Sequence, residues 1–142
     1  MKEMVYKNYM ENGQEVIEIL DEGIYKSFHY VIVSYGTHPC AYIEIPKDNV
    51  SDEDKLIDID CHGGITYVFT TGLIKPNNEN HRDGHWIGWD YAHACDYIGY
   101  LPVDFTITNG LKKWTTKEIL EEVKDVIEQL INCLLYTSPS PR

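Results

Sequence analysis

Residues 28–45, FHYVIVSYGTHPCAYIEI, decide the fold. In 28–35 the residues are β-branched and aromatic, with the alternation of a strand whose side chains point to two faces in turn. Gly36 and Pro39 interrupt the run as turn-forming residues, and 40–45 resumes the alternation until Pro46. Two such runs around a short turn predict an antiparallel pair. Further short strands are predicted at 16–20, at 57–60 and 65–71 around the Gly63-Gly64 turn, at 85–89 and at 105–108. Between them, 47–56 (KDNVSDEDKL) reads as a loop or a short helix capped by Ser51. Residues 75–84 (KPNNENHRDG) read as the longest polar loop, and 90–104 as irregular.

A helix is predicted over 116–134. Thr115 caps it and Glu118, three residues on, completes a capping box. Ile119, Val123, Val126, Ile127, Leu130 and Leu134 share one face. Glu118, Glu121, Glu122, Asp125 and Glu128 fall largely on the other, where solvation is expected. The fold class is therefore α+β: a single domain over 1–132, with a mostly antiparallel sheet and a long C-terminal amphipathic helix.

With 142 residues the chain suffices for one core. No run approaches the roughly 18 apolar residues of a membrane span, and MKEMVYKNYMENG has no apolar signal-peptide centre. A cytoplasmic protein without a membrane partner is expected. The formal charge of −11 argues against nucleic acid as a partner, because phosphate neutralisation needs a basic face. An anionic small ligand would need local donors such as Arg82, Lys75, a histidine or backbone N–H groups. Cys40, Cys61, Cys95 and Cys133 form no CxxC pair, so they read as small buried or half-buried residues rather than a zinc knuckle or a disulfide framework.

The last ten residues, CLLYTSPSPR, match without mismatch the conceptual translation of a sequencing-library transposase adapter. Residues 133–142 are therefore expected to be non-native; the alternative is a genuine Ser/Pro-rich tail. In either case the tail carries no functional argument.

Site chemistry concentrates in 61–96, which holds His62, His81, His85 and His93 with Gly63-Gly64, Trp86, Trp89, Asp83, Asp90 and Asp96. The paired glycines permit positive φ and close backbone approach, either as an anion-holding nest or as a plain tight turn. No GxGxxG or P-loop pattern occurs. His62 can bind a ligand, act as acid or base, or brace the turn. Asp90, His93 and Asp96 are spaced three apart, so a helical turn puts them on one face. That set could build a metal site with His62 or His85, or Asp90 could simply orient His93. Trp86 and Trp89 point to opposite faces of a strand: one reads as core, the other as a stacking plane. Tyr67, Tyr91 and Tyr97 could extend that surface. Arg82, the only arginine before the tail, reads as a phosphate or carboxylate clamp or as a solvated loop residue.

The segments THPCAYIEIP, DIDCHGGITY, HWIGWDYAHACD and WTTKEILEEVKDVIEQL resemble a family of small proteins from phages and prophages of Gram-positive bacteria. That family carries a G/A-Y-V-x-x-P strand, an HGG-L/I-T-Y/F centre, a W-I-G-F/W-D-x-x-H-x-x-D segment and a closing E-V helix. The matching positions are His62, Gly63, Gly64, Thr66, Tyr67, Trp86, Gly88, Asp90, His93 and Asp96. Ala41 stands where glycine is usual, and Trp89 where phenylalanine is usual. By analogy, small acidic phage proteins include sponges for immune nucleotide signals, the Sequestin and Lockin families among them.

The resemblance and the residues together imply a phage anti-defence protein in the infected host cell. It would sequester a nucleotide-derived signal of ADP-ribose or cyclic type without cleaving it. His62, Gly63, Gly64, Thr66, Tyr67, Arg82, Trp86, Trp89, Asp90, His93 and Asp96 would form the ligand site. No cofactor and no bound metal are expected, and a homodimer or higher homo-oligomer is. The alternative is a hydrolase of such a nucleotide using His62, His93 and Asp90, with or without metal assistance. A third reading is an acidic protein-binding inhibitor.

Overall fold

The computed structural model describes residues 1–7, 17–46, 58–99 and 110–132. They form a small α+β domain: β1 (Glu18–Tyr25), β2 (Phe28–Ser34), β3 (Pro39–Glu44), β4 (Tyr67–Phe69), β5 (Trp86–Asp90) and one helix, α1 (Thr116–Leu130). All neighbouring strands pair antiparallel, in the order β1-β2-β3-β5-β4. Among the described residues, no helix is long and apolar enough to cross a membrane.

The alternation in 28–45 places Phe28, Tyr30, Ile32, Ala41, Ile43 and Ile45 on one face, with Ile87, Trp89 and Tyr91 from β5 and its end. Helix α1 covers this face with Ile119, Val123, Val126, Ile127 and Leu130. Val31, Val33, Cys40, Tyr42 and Trp86 project to the opposite face. There the 70–85 connection covers them, with Leu73 fully buried among them. The sheet is thus buried on both faces, by a helix on one and by a loop on the other.

Helix α1 starts where its capping box demands: Thr115 accepts from the Glu118 N–H, and the Glu118 carboxylate accepts from the Thr115 N–H. It is 15 residues long and ends at Leu130, short of the expected 134; residues 133 and 134 lie outside the described set. The first strand runs Glu18–Tyr25 rather than over 16–20. It continues through Asp21-Glu22-Gly23 because an edge strand solvates one side, and its pairing slips between Ile19 and Asp21. Of the two strands expected around Gly63-Gly64, only Tyr67–Phe69 pairs, and 58–60 is irregular. The expectations for 47–56, 105–108 and the 133–142 tail fall outside the described residues.

Among the described residues, three non-glycine residues have positive φ. Ile74, a β-branched residue, sits at φ 67°. It is held there by the reciprocal Leu73–Arg82 backbone hydrogen bonds (2.7 and 2.9 Å) and by the His81 imidazole on its carbonyl (2.7 Å). In the β1–β2 hairpin, Lys26 and Ser27 form the two-residue turn at φ 48° and 73°, a geometry that favours glycine at its second position. Ser27→Gly is expected to raise stability by about 1 kcal/mol, read as a higher urea midpoint at unchanged m-value. A lower midpoint would contradict the turn assignment.

Candidate functional site

The His62 turn, the end of β5 and the start of α1 meet at one place. Gly63 and Gly64 both have positive φ, 74° and 78°, and the Gly64 N–H closes the turn onto the Cys61 carbonyl at 2.9 Å. This backbone lies directly on the His93 ring: a Cβ on Gly63 would stand 2.0 Å from His93 Nε2, whereas one on Gly64 would meet nothing within 4 Å. Glycine at 63 is therefore a requirement of both conformation and close approach.

Asp96 organises the cluster. It is only 2 % exposed and accepts three N–H donors: His62 Nε2 at 2.7 Å, the His93 backbone at 2.9 Å and Trp114 Nε1 at 2.9 Å. Burial pushes its pKa up, but these donors outweigh burial and hold the carboxyl below its ordinary value, so Asp96 is a carboxylate. Since a carboxylate only accepts, His62 Nε2 carries the hydrogen in its bond to Asp96. The His62 ring stacks on Tyr91 (4.9 Å between centroids, 8° between planes). Trp114 and His93 meet it edge-on, at 4.9 and 5.3 Å.

His93 repeats the arrangement in looser form. Its Nε2 lies 3.1 Å from Asp90 Oδ1, an ion-pair distance without hydrogen-bond alignment, so this buried nitrogen has no hydrogen-bond partner among the described residues. The other Asp90 oxygen accepts from Tyr67 Oη at 2.7 Å, and burial together with that carboxylate raises the Tyr67 pKa. Two imidazoles thus stand side by side, each with Nε2 turned to a carboxylate and Nδ1 free of any hydrogen bond among the described residues. Their side chains are 23 % and 37 % exposed, enough for a ligand to reach both.

Behind them, Tyr91 Oη accepts from Trp89 Nε1 at 2.9 Å and donates to Glu122; the second Glu122 oxygen accepts the His62 N–H at 3.2 Å. Burial and Glu122 together raise the Tyr91 pKa, so it stays a donor.

The structure therefore brings together His62, Gly63, Gly64, Tyr67, Asp90, His93 and Asp96, with Thr66 exposed beside them and its N–H on the Gly88 carbonyl. Four expectations change. Arg82 is not at this cluster: its guanidinium forms a bidentate pair with Glu22 on β1 (3.0 and 2.9 Å). Trp86 and Trp89 do face opposite ways, but both are fully buried, because loop and helix cover the two faces; neither offers a stacking plane. The acidic face of α1 is not wholly solvated, since Glu122 binds the site and Glu128 accepts from Tyr25 Oη at 2.9 Å. Cys95 is exposed rather than buried, while burial lifts the half-buried Cys61 thiol to about 12.

Trp114 and Glu122 complete the site without having been singled out as part of it. Glu122 carried a signal: it lies three residues after Ile119 and four before Val126, inside the apolar stripe. Among the described residues, no three His, Cys, Asp or Glu side chains are placed to hold a metal ion. A cleft of about 540 Å³ opens elsewhere, lined by Lys26, Phe28, His29, Glu44, Ile45 and Ile131 among others. Its His29 is engaged by Glu22 (2.7 Å) and Glu44 (3.3 Å), so it presents no comparable pair of free ring nitrogens.

Comparison of the chain with protein-family models, with curated proteins and with solved structures gives no match.

Proposed function

We propose that the His62–His93 face is an acid–base site acting on a small polar ligand of nucleotide type, with water as the co-substrate. One observation carries this reading: two adjacent imidazoles, His62 hydrogen-bonded through Nε2 to Asp96 and His93 with Nε2 3.1 Å from Asp90, neither Nδ1 hydrogen-bonded among the described residues. The anchored His62 needs no reorientation before it takes a proton. In this reading His62, fixed by Asp96, is the base, and His93, beside Asp90, is the acid. Gly63, Gly64 and Thr66 form the rim.

A second reading is capture without turnover, in the manner of a phage anti-defence sponge acting as a homodimer or larger assembly in the host cytoplasm. Immobilisation of His62 between Tyr91, Trp114 and His93 favours it, since a preorganised ring loses little entropy on binding. The pairing of Arg82 with Glu22 and the burial of both tryptophans count against it, because they remove the phosphate clamp and the stacking planes assumed for that ligand.

One measurement separates the two. Purified protein is incubated with a panel of cyclic dinucleotides and ADP-ribose derivatives, filtered, heat-denatured, and both fractions are analysed by mass spectrometry. A product that disappears with His93→Ala is expected. Intact ligand released only on heating would replace the first reading by the second.

A further inference from the structure

The charges around the two imidazoles bear on which bond the site can break. Asp90, Asp96 and Glu122 are all within hydrogen-bond or ion-pair distance of the His62 and His93 residues. The cation tied to this cluster among the described residues is Lys112, and it is committed. Its ammonium lies 4.1 Å over the Trp114 ring and 2.7 Å from Glu118. Arg82 is held by Glu22. Phosphoryl transfer spreads negative charge over the equatorial oxygens and is served by Lys, Arg or a metal ion. Glycosidic cleavage passes instead through a cation-like sugar, which carboxylates stabilise. With Asp90 beside His93, and Glu122 and the buried Asp96 behind the rings, the field around the two imidazoles is negative and suits the second kind of charge.

Resting on the acid–base reading, we infer that the bond broken is a glycosidic one, at the anomeric carbon of a ribosyl group. The water oxygen bonds to that carbon and its proton passes to Nδ1 of His62. The electron pair of the breaking C1′–N or C1′–O bond goes to the leaving atom. Where that atom needs a proton, it takes it from Nδ1 of His93 as imidazolium. Asp90 lies beside the face on which the sugar becomes cationic. Phosphate groups on the ligand are left intact and point away from the cluster.

NAD+ and adenosine serve as probes. NAD+ contains both an N-glycosidic bond and a phosphoanhydride, while adenosine contains only the former. Chromatography with mass detection is expected to find nicotinamide with ADP-ribose from NAD+, and adenine from adenosine, with rates falling about 100-fold or more in His62→Ala. AMP from NAD+ would overturn the glycosidic inference and leave the acid–base reading standing. No product from either probe would overturn it too, and intact probe retained by the protein would then select capture. Because the wild-type product itself decides, the result does not depend on a variant's folding.

Discussion

Asp96→Ala is expected to cost about 3 kcal/mol of stability, a loss of roughly 10 °C in Tm for a domain of this size. Truncating a surface carboxylate seldom costs more than about 0.5 kcal/mol, so the size of the effect is the test. Asp96 is a buried carboxylate whose three N–H partners come from His62, His93 and Trp114, that is, from the turn before β4, the turn after β5 and the segment that enters α1. Removing it strands all three donors, and an unpaired buried donor is costlier than a missing neutral bond. A loss below 1 kcal/mol by urea denaturation would mean that solvent replaces Asp96 freely and that it organises nothing.

The same residue sets a pH dependence. Its folded pKa lies below the ordinary 3.8, so its contribution is complete above that value and is lost as pH falls through the lower, folded value. Wild-type stability should therefore fall between about pH 4 and more acid values, and Asp96→Asn should remove part of that slope. The amide carries no charge, and its NH2 cannot accept where one of the two Asp96 oxygens now does, so the variant loses the charge together with at least one of the three hydrogen bonds.

How far the sequence foretold this arrangement depends on the range of each interaction. The capping box of α1 and the β2–β3 pair were legible because their determinants lie within a few residues: Thr115 with Glu118, and one alternating run with the next. The extent of β1 was not, since Asp21-Glu22-Gly23 has the composition of a turn and forms a strand only because Tyr30, Val31 and Ile32 are there to pair with it. For the site, the His62-Gly63-Gly64 and Asp90/His93/Asp96 groups do meet, 34 residues apart in the case of His62 and Asp96. The place of Arg82 is not legible, because its partner, Glu22, is 60 residues away and no local pattern announces that pairing. The tryptophans illustrate a different limit. Their opposite orientation follows from strand geometry, but whether a face is open depends on what covers it, and here the 70–85 connection closes the face that Trp86 occupies.

Gly63→Ala should abolish the function of the site and cost about 2 kcal/mol, while Gly64→Ala should cost about 1 kcal/mol and leave the His93 ring in place. Both glycines have nearly the same positive φ, so both variants suffer the same left-handed strain. They differ only in surroundings. At 64 the added methyl enters open space, and at 63 it would lie 2.0 Å from His93 Nε2 and 2.5 Å from its Cε1. A ring cannot bend away as a flexible chain end does, and His93 is also bounded by His62 at 5.3 Å and Asp90 at 3.1 Å. The ring must therefore swing out, carrying its Nδ1 away from that of His62. Proton NMR of the imidazole Cε1–H signals reads this directly: His93 should shift strongly in Gly63→Ala and hardly in Gly64→Ala. Equal losses from the two variants would show that backbone strain alone matters. Unequal losses assign the difference to the contact between glycine turn and imidazole, which is what sets the spacing of the two histidines.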